Sequence, residues 1–241
     1  DTITGDSADN QLMGESGDDT LDGASGADTL EGSGGDDLLL ASSDDDRLDG
    51  GADNDTVDFS SSTGVNLTLN TSTDAIASSD LGSDTVVNVE NVLGSNTGTD
   101  ILEGDSAVNI LNGQGGDDTL VASTGSDTLD GSAGTDEVSF VNSSTGVTLT
   151  LNTSSNAIAT SDLGSDIVRN IENVRASNAS DTVTGDSANN ALFGEGGDDL
   201  LDGGSGNDRL EGGIGADTLD GASGDDVLVG DAGDDTLLSS S

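Results

Sequence analysis

A nine-residue frame governs what this chain can fold into, because it places one apolar residue among turn-forming neighbours again and again. The frame opens at residues 5, 14, 23, 32, 41 and 50, resumes at 95, 104, 113, 122 and 131, and runs in seven further copies from 176 to 238, giving 18 repeats. The eighth position is Leu or Val in all 18, the sixth is Asp in 15, and Gly fills the first in 14 and the fourth in 12. A merely acidic, Gly-rich tract has no such phase. Representative copies are GESGDDTLD from Gly14 and GGSGNDRLE from Gly203.

Within one copy a single apolar residue between polar ones, as in Thr218-Leu219-Asp220, is a very short strand with one side chain pointing inward. The remaining residues must turn, and Gly at the first and fourth positions suits positive-φ backbone and close approach. Two copies then make one coil of a parallel β-roll, all-β, with leucines stacked inside and turns on alternate sides. Coils follow at the β spacing of roughly 4.8 Å, so each sixth-position Asp lies over the one two repeats later. Two carboxylates about 5 Å apart repel by about 3 kcal/mol at an effective dielectric of 20. A dozen such contacts exceed the stability of an ordinary domain, so the roll does not close unaided. A divalent cation between stacked turns reverses the sign, and an all-oxygen set of carboxylates and carbonyls suits Ca²⁺ better than the smaller, more strictly octahedral Mg²⁺. Folding and metal binding become one equilibrium.

Composition agrees. The 241 residues carry 49 acids against four basic groups, a formal charge of −45, with no His, Cys, Trp, Tyr or Pro. The basic groups are Arg47, Arg169, Arg175 and Arg209, too few for an anion patch and expected to lie along neighbouring acids. Imidazole bases, thiolate nucleophiles, Schiff-base lysines and Cys/His zinc sites are excluded. Nucleic acid is excluded as a partner, and anionic lipid disfavoured, by the charge. With 30% hydrophobic residues and only Phe59, Phe140 and Phe193 as aromatics, any core is thin and aliphatic. So polar a composition otherwise reads as disorder, and only the periodic frame argues against it. No apolar run reaches the roughly 18 residues of a membrane span. Asp1 follows neither an initiator Met nor a signal peptide, so the sequence reads as a piece of something longer.

The repeats resemble the G-G-x-G-x-D-x-U-x nonapeptide of the RTX family, a known calcium-binding pattern. The resemblance covers about two thirds of the chain in phase, and Gly203 to Glu211 is its best copy. It implies export by bacterial type I secretion, folding in extracellular calcium, and ions held between a turn and the turn two repeats later. On that basis the metal residues are Asp19, Asp28, Asp37, Asp46 and Asp55, then Asp100, Asp118, Asp127 and Asp136, then Asp181, Asp199, Asp208, Asp217, Asp226 and Asp235. The implied pairings are Asp19 with Asp37, Asp28 with Asp46, Asp37 with Asp55, Asp100 with Asp118, Asp118 with Asp136, Asp181 with Asp199, Asp199 with Asp217, Asp208 with Asp226, and Asp217 with Asp235. The second Gly survives only at Gly51, Gly204 and Gly213, and Asp44 and Asp53 replace the fourth. The turns opening at 41 and 50 are therefore the weakest candidates, with those carrying Asn10, Asn109 or Asn190.

Two related 36-residue segments interrupt the frame, from Phe59 to Gly94 and from Phe140 to Arg175. The expected organisation is repeat block 1–58, insert 59–94, block 95–139, insert 140–175 and block 176–241. Each insert is four nonapeptides long, and Val65, Leu67 and Leu69, like Val147, Leu149 and Leu151, alternate with polar residues as a half-buried strand does. Preserved phase favours calcium-free coils that continue the stack over a hairpin that protrudes. The functional expectation is a non-enzymatic, calcium-stiffened module of a secreted or cell-surface adhesin, surface-layer protein or filament, able to associate end to end or with other surface protein and not inserted in a membrane. The alternative is the calcium-dependent secretion region of a hydrolase whose catalytic domain lies elsewhere.

Overall fold

A computed structural model of the chain describes residues 1–71, 74–153 and 156–238. Ser72 and Thr73 of the first insert, Ser154 and Ser155 of the second, and the last three residues of the third block lie outside the described residues. All described elements are strands, most of three residues, and they form two compact units, Asp1–Asp118 and Thr119–Ser241. No helix of the described residues is long and apolar enough to cross a membrane.

In the first unit, alternate repeats build alternate sheets. Thr20–Asp22, Leu38–Leu40 and Thr56–Asp58 pair in parallel with Leu21 opposite Leu39 and Leu39 opposite Val57. Gln11–Met13, Thr29–Gly34 and Arg47–Ala52 pair likewise in the other sheet, Leu12 opposite Leu30 and Leu30 opposite Leu48. Every partner is two nonapeptides away, which is the register of a parallel β-roll. The second unit repeats the scheme: Thr182–Thr184, Leu200–Asp202, Thr218–Asp220 and Thr236–Leu238 in one sheet, and Asn173–Arg175, Ala191–Phe193, Arg209–Ile214 and Val227–Ala232 in the other.

The eighth-position side chains meet between the sheets. Leu21, Leu30, Leu39, Leu48 and Val57 in the first unit and Leu129, Val138, Leu192, Leu201, Leu210 and Leu219 in the second are fully buried. Each contributes about 2 kcal/mol by leaving water. Two such residues per coil make a single-file aliphatic core. The expectation of no aromatic anchor needs correction: Phe59 and Phe140 are fully buried, each at the first residue of an insert, where the chain leaves the narrow coil and a larger interior must be filled.

The inserts continue the stack, but not as further parallel coils alone. In the first unit, one sheet gains the single strand Asn91–Leu93, parallel to Thr56–Asp58 and Ile110–Asn112. The other gains an antiparallel meander: Ser83–Val87 lies parallel to Arg47–Ala52, Ala75–Ser79 returns antiparallel to it, and Val65–Thr68 pairs onward in parallel with Ile101–Glu103. Here the chain doubles back within one sheet through a tight turn closed by Ser79 N–H donating to Gly82 O at 3.0 Å, and crosses to the opposite sheet only after Val87. In the second unit Ser165–Arg169, Ala157–Thr160 and Thr148–Thr150 form the same meander, with Ser161 N–H donating to Gly164 O at 3.1 Å.

The arginines lie along acids, as their scarcity requires. Arg47 meets Asp49 at 3.0 Å and Asp74 at 3.3 Å, and Arg169 meets Asp130 at 2.8 Å. Arg209 pairs with Glu211, and Arg175 with Glu137 and Glu195 while covering the ring of Phe193.

Candidate metal centre

The turns owe their shape to three positions of the repeat. The fourth is left-handed: Gly35 has φ 124°, and a Cβ there would meet the carbonyl of Gly17. Asp44 and Asp53 adopt the same conformation at φ 83° and 85°. The second position is left-handed in many of the repeats, and non-Gly residues occupy it there, including Glu15, Ala24, Ser33 and Ala222. Loss of the second Gly is therefore not neutral, since an L-residue pays about 1 kcal/mol or more in this region.

The first-position Gly serves close approach and not a left-handed backbone. Its φ is ordinary, and the constraint is steric. A Cβ at Gly14 would lie 2.6 Å from Asp19 Oδ2 and 2.8 Å from Gly32 O. A Cβ at Gly203 would lie 2.5 Å from Asp208 Oδ2. The missing side chain leaves a cradle between the sixth-position carboxylate of its own repeat and the glycine carbonyl two repeats on.

The carboxylates are built into the coil. In each column, Oδ1 accepts the amide N–H of the residue stacked one coil earlier: Asp19 to Asp37, Asp28 to Asp46 and Asp37 to Asp55, each at 2.8 Å. Asp100 to Asp118 follows at 2.9 Å in the first unit, and Asp181 to Asp199, Asp199 to Asp217, Asp208 to Asp226 and Asp217 to Asp235 follow at 2.8 to 3.0 Å in the second. The structure thus stacks the same aspartates over one another, joined by amide-to-carboxylate hydrogen bonds. Oδ2 is a different matter. In Asp19, Asp28, Asp37, Asp55, Asp199, Asp208 and Asp217 it is buried and accepts no hydrogen bond. A buried carboxylate oxygen with no donor costs several kcal/mol, a cost that a cation held there would offset.

The donor set fits calcium. The polar atoms nearest the open space at Gly14, Gly32, Gly50 and Gly194 are carboxylate and carbonyl oxygens. No three acidic groups converge among the described residues, so a cation here rests on one or two carboxylates supplemented by backbone carbonyls. Burial, reinforced by stacked carboxylates and only partly offset by the amide hydrogen bond, raises Asp55 and Asp199 to about 7. Asp37, Asp208 and Asp217 are also raised, burial again being the largest cause.

Other predicted residues sit in the same columns in other states. Where the first position is Ala, Ser follows it and takes up the spare oxygen. Ser42 Oγ donates to Asp46 Oδ2 at 2.7 Å and Ser123 Oγ to Asp127 Oδ2 at 2.9 Å. Ser177 donates to both oxygens of Asp181, and Ser95 N–H to Asp100 Oδ2 at 2.6 Å. Asn10, Asn109 and Asn190 put a neutral side chain in the column, each amide oxygen accepting the second-position N–H of its own repeat, that of Asp6, Asp105 or Asp186, at 2.8 to 2.9 Å. In the turn at 41 the serine occupies Asp46 Oδ2, whereas in the turn at 50 Gly50 leaves its cradle open and Asp55 is fully buried. Asp118 and Asp136 face cradles at Gly113 and Gly131, and Asp226 and Asp235, half-buried, face Gly221 and Gly230.

Sequence reasoning missed four residues of the inserts. Asp84 and Asp166 are fully buried, with Oδ1 accepting the N–H of Asp46 and Asp127 at 3.0 Å and Oδ2 accepting nothing. Burial lifts both to about 6. Glu90 and Glu172 accept the N–H of Asp55 and Asp136 through Oε2 at 2.9 Å, the role Asp Oδ1 plays elsewhere. A signal existed: Gly82-Ser83-Asp84-Thr85-Val86 repeats the half-motif Gly125-Ser126-Asp127-Thr128-Leu129, displaced from the nine-residue frame.

The sequence matches the profile of the RTX calcium-binding nonapeptide repeat (four copies) at residues 1–30, 22–57, 95–129, 112–139, 175–210 and 202–237. The chain belongs to this RTX repeat family. Its nonapeptides are calcium-binding, and their many copies imply several Ca²⁺ ions per chain. No curated protein matches the chain. The RTX roll is a structural calcium-binding module, not a catalytic one.

Proposed function

We propose that this RTX roll is a calcium-stiffened structural segment of an exported protein such as an adhesin, a surface-layer protein or a filament. The observation that carries the reading is the row of buried, donor-less Oδ2 atoms in successive coils, from Asp19, Asp37 and Asp55 in the first unit to Asp199 and Asp217 in the second. When bound, Ca²⁺ supplies the countercharge these columns lack. The chain's own contribution is to hold each carboxylate by its Oδ1, to present a glycine carbonyl opposite Oδ2, and to keep Cβ atoms out of the cradle. Backbone carbonyls with few carboxylates make modest-affinity sites, suited to the high calcium outside cells.

On this reading Asp19, Asp28, Asp37, Asp55, Asp199, Asp208 and Asp217 are the principal ligands. Asp118, Asp136, Asp226 and Asp235 extend the ladder, and Asp46, Asp100, Asp127 and Asp181 serve first as acceptors for turn serines. The repeat blocks 1–58, 95–139 and 176–241 supply most of the sites, and the segments 59–94 and 140–175 change how the coil closes. A run of rigid coils with no catalytic vocabulary serves as a spacer or assembly element. Far-UV circular dichroism tests the coupling: the chain is expected to be largely coil in chelator and to gain β structure cooperatively on adding Ca²⁺. An unchanged β spectrum in excess chelator would refute it.

A further inference from the structure

The inserts lack the Gly turns of the repeats, and the expectation was that they carry no metal. Their geometry argues otherwise. Gly50 and Asp55 form a normal cradle, yet the carbonyl that closes it belongs to Asn88 of the insert: a Cβ at Gly50 would lie 2.6 Å from Asp55 Oδ2 and against Asn88 O. Asn88 is left-handed at φ 49°, so a non-Gly residue is held in the conformation that aims this carbonyl inward. Glu90 then takes the place of the next Asp in the column, with Oε2 on the Asp55 N–H at 2.9 Å. Asp55 Oδ2 is buried, accepts no hydrogen bond and faces this junction.

The second unit builds the junction again. A Cβ at Gly131 would lie 2.5 Å from Asp136 Oδ2 and against Asn170 O, Asn170 has φ 52°, and Glu172 Oε2 accepts the Asp136 N–H at 2.9 Å. Beside each junction lies a polar cavity, of about 200 Å³ next to Asn88 and Glu90 and about 140 Å³ next to Asn170 and Glu172. It gives an ion an entry path and room for water ligands. The run of carboxylates is interrupted immediately afterwards, because Asn109 and Asn190 donate their side-chain amides to Glu90 O and Glu172 O at 2.8 Å and bring no charge.

We propose that each insert contributes half of an additional divalent-cation site, in which Asp55, Glu90 and the Asn88 carbonyl, and equally Asp136, Glu172 and the Asn170 carbonyl, hold a Ca²⁺ ion. The proposal rests on the calcium-binding reading of the roll and extends it beyond the repeats. At these two positions it is a Glu side chain that reaches the column from the insert backbone.

The test is a count of bound ions by native mass spectrometry and isothermal calorimetry on the full chain with Ca²⁺, comparing the parent with Glu90→Gln/Glu172→Gln and with the control Glu31→Gln. The double variant is expected to bind two ions fewer than the parent at the same free Ca²⁺, or to bind those two at least tenfold more weakly, and the control to bind the parent number. Equal counts and affinities in double variant and parent overturn the proposal. If the double variant fails to fold, crystals of the parent grown in Ca²⁺ decide: anomalous density between Asp55, Asn88 O and Glu90 supports the site, and its absence overturns it. A parent that binds no Ca²⁺ refutes the functional reading itself.

Discussion

Gly32 and Gly34 sit two residues apart in one turn, and the structure assigns them opposite fates on replacement by Ala. A Cβ at Gly32 would lie 2.5 Å from Gly50 O and 2.8 Å from Asp37 Cγ, and in overlap with Oδ2, the cradle's own oxygen. A Cβ at Gly34 meets nothing within 4 Å, and its φ is not left-handed. Gly32→Ala must push the Asp37 carboxylate aside, weakening its 2.8 Å bond from the Asp19 amide and displacing a proposed calcium ligand. Overpacking of this kind costs about 1–3 kcal/mol, and a carboxylate contact left without its cation costs about 3 kcal/mol at 5 Å. Taking 3 kcal/mol as the working figure, calcium affinity at this coil falls by about two orders of magnitude. Gly34→Ala restricts the unfolded chain and stabilises by about 0.4–1 kcal/mol. The assay is a calcium titration followed by circular dichroism and calorimetry. Gly32→Ala is expected to move the folding midpoint to higher Ca²⁺ and to lose about one ion, whereas Gly34→Ala leaves the count unchanged. Equal midpoints for the two variants would refute the cradle.

Three further outcomes follow from the turns. Ala41→Gly/Ser42→Gly reopens the cradle and frees Asp46 Oδ2 from its serine, so the variant is expected to bind one more Ca²⁺ than the parent by native mass spectrometry. Ala222→Gly relieves a left-handed φ of 55° and is expected to raise stability in saturating calcium by about 1 kcal/mol, read as a higher melting temperature. In chelator, acid substitutes for calcium: Asp55 and Asp199 are raised to about 7 and Asp84 and Asp166 to about 6, so the folded state binds more protons than the unfolded one. That contribution to stability is complete below the unfolded carboxylate value near 4 and disappears as pH rises through 6 to 7. More β signal at pH 5 than at pH 8 is therefore expected without metal, and the reverse order would contradict the buried-carboxylate account.

Much of the roll was legible because one period carried it. An invariant apolar eighth position sets both the inward side chain and the two-repeat register, and Leu21 opposite Leu39 follows from spacing alone. The columns of sixth-position Asp follow from the same arithmetic. What the frame could not reveal was the division of labour among identical aspartates. That depends on whether the first residue carries a Cβ and whether a serine stands next to it, as the contrast between Asp37 beside Gly32 and Asp46 beside Ala41-Ser42 shows. The insert acids were hidden for another reason: Asp84 and Glu90 enter the columns through the meander and its return strand, whose geometry frees them from nine-residue spacing.

The arrangement also limits the electrostatic cost of the column. In the first unit one column runs Asp19, Asp37, Asp55, Glu90 and then the neutral Asn109, while another opens with the neutral Asn10 and runs through Asp28 and Asp46 to Asp84. Repulsion within a stack grows with every carboxylate added without an ion, and an amide that makes the same backbone contacts ends that growth. Because each coil touches only its neighbours, a neutral turn confines the loss of an ion to one segment of the ladder. Asn109→Asp adds a charged member to the stack that ends at Glu90, and Asn190→Asp joins the run ending at Glu172 to that of Asp208 and Asp226, each at a position where the present amide nitrogen donates to Glu90 O or Glu172 O. A carboxylate there loses that amide donation, so the two Asn residues divide the ladder into shorter runs of like charge.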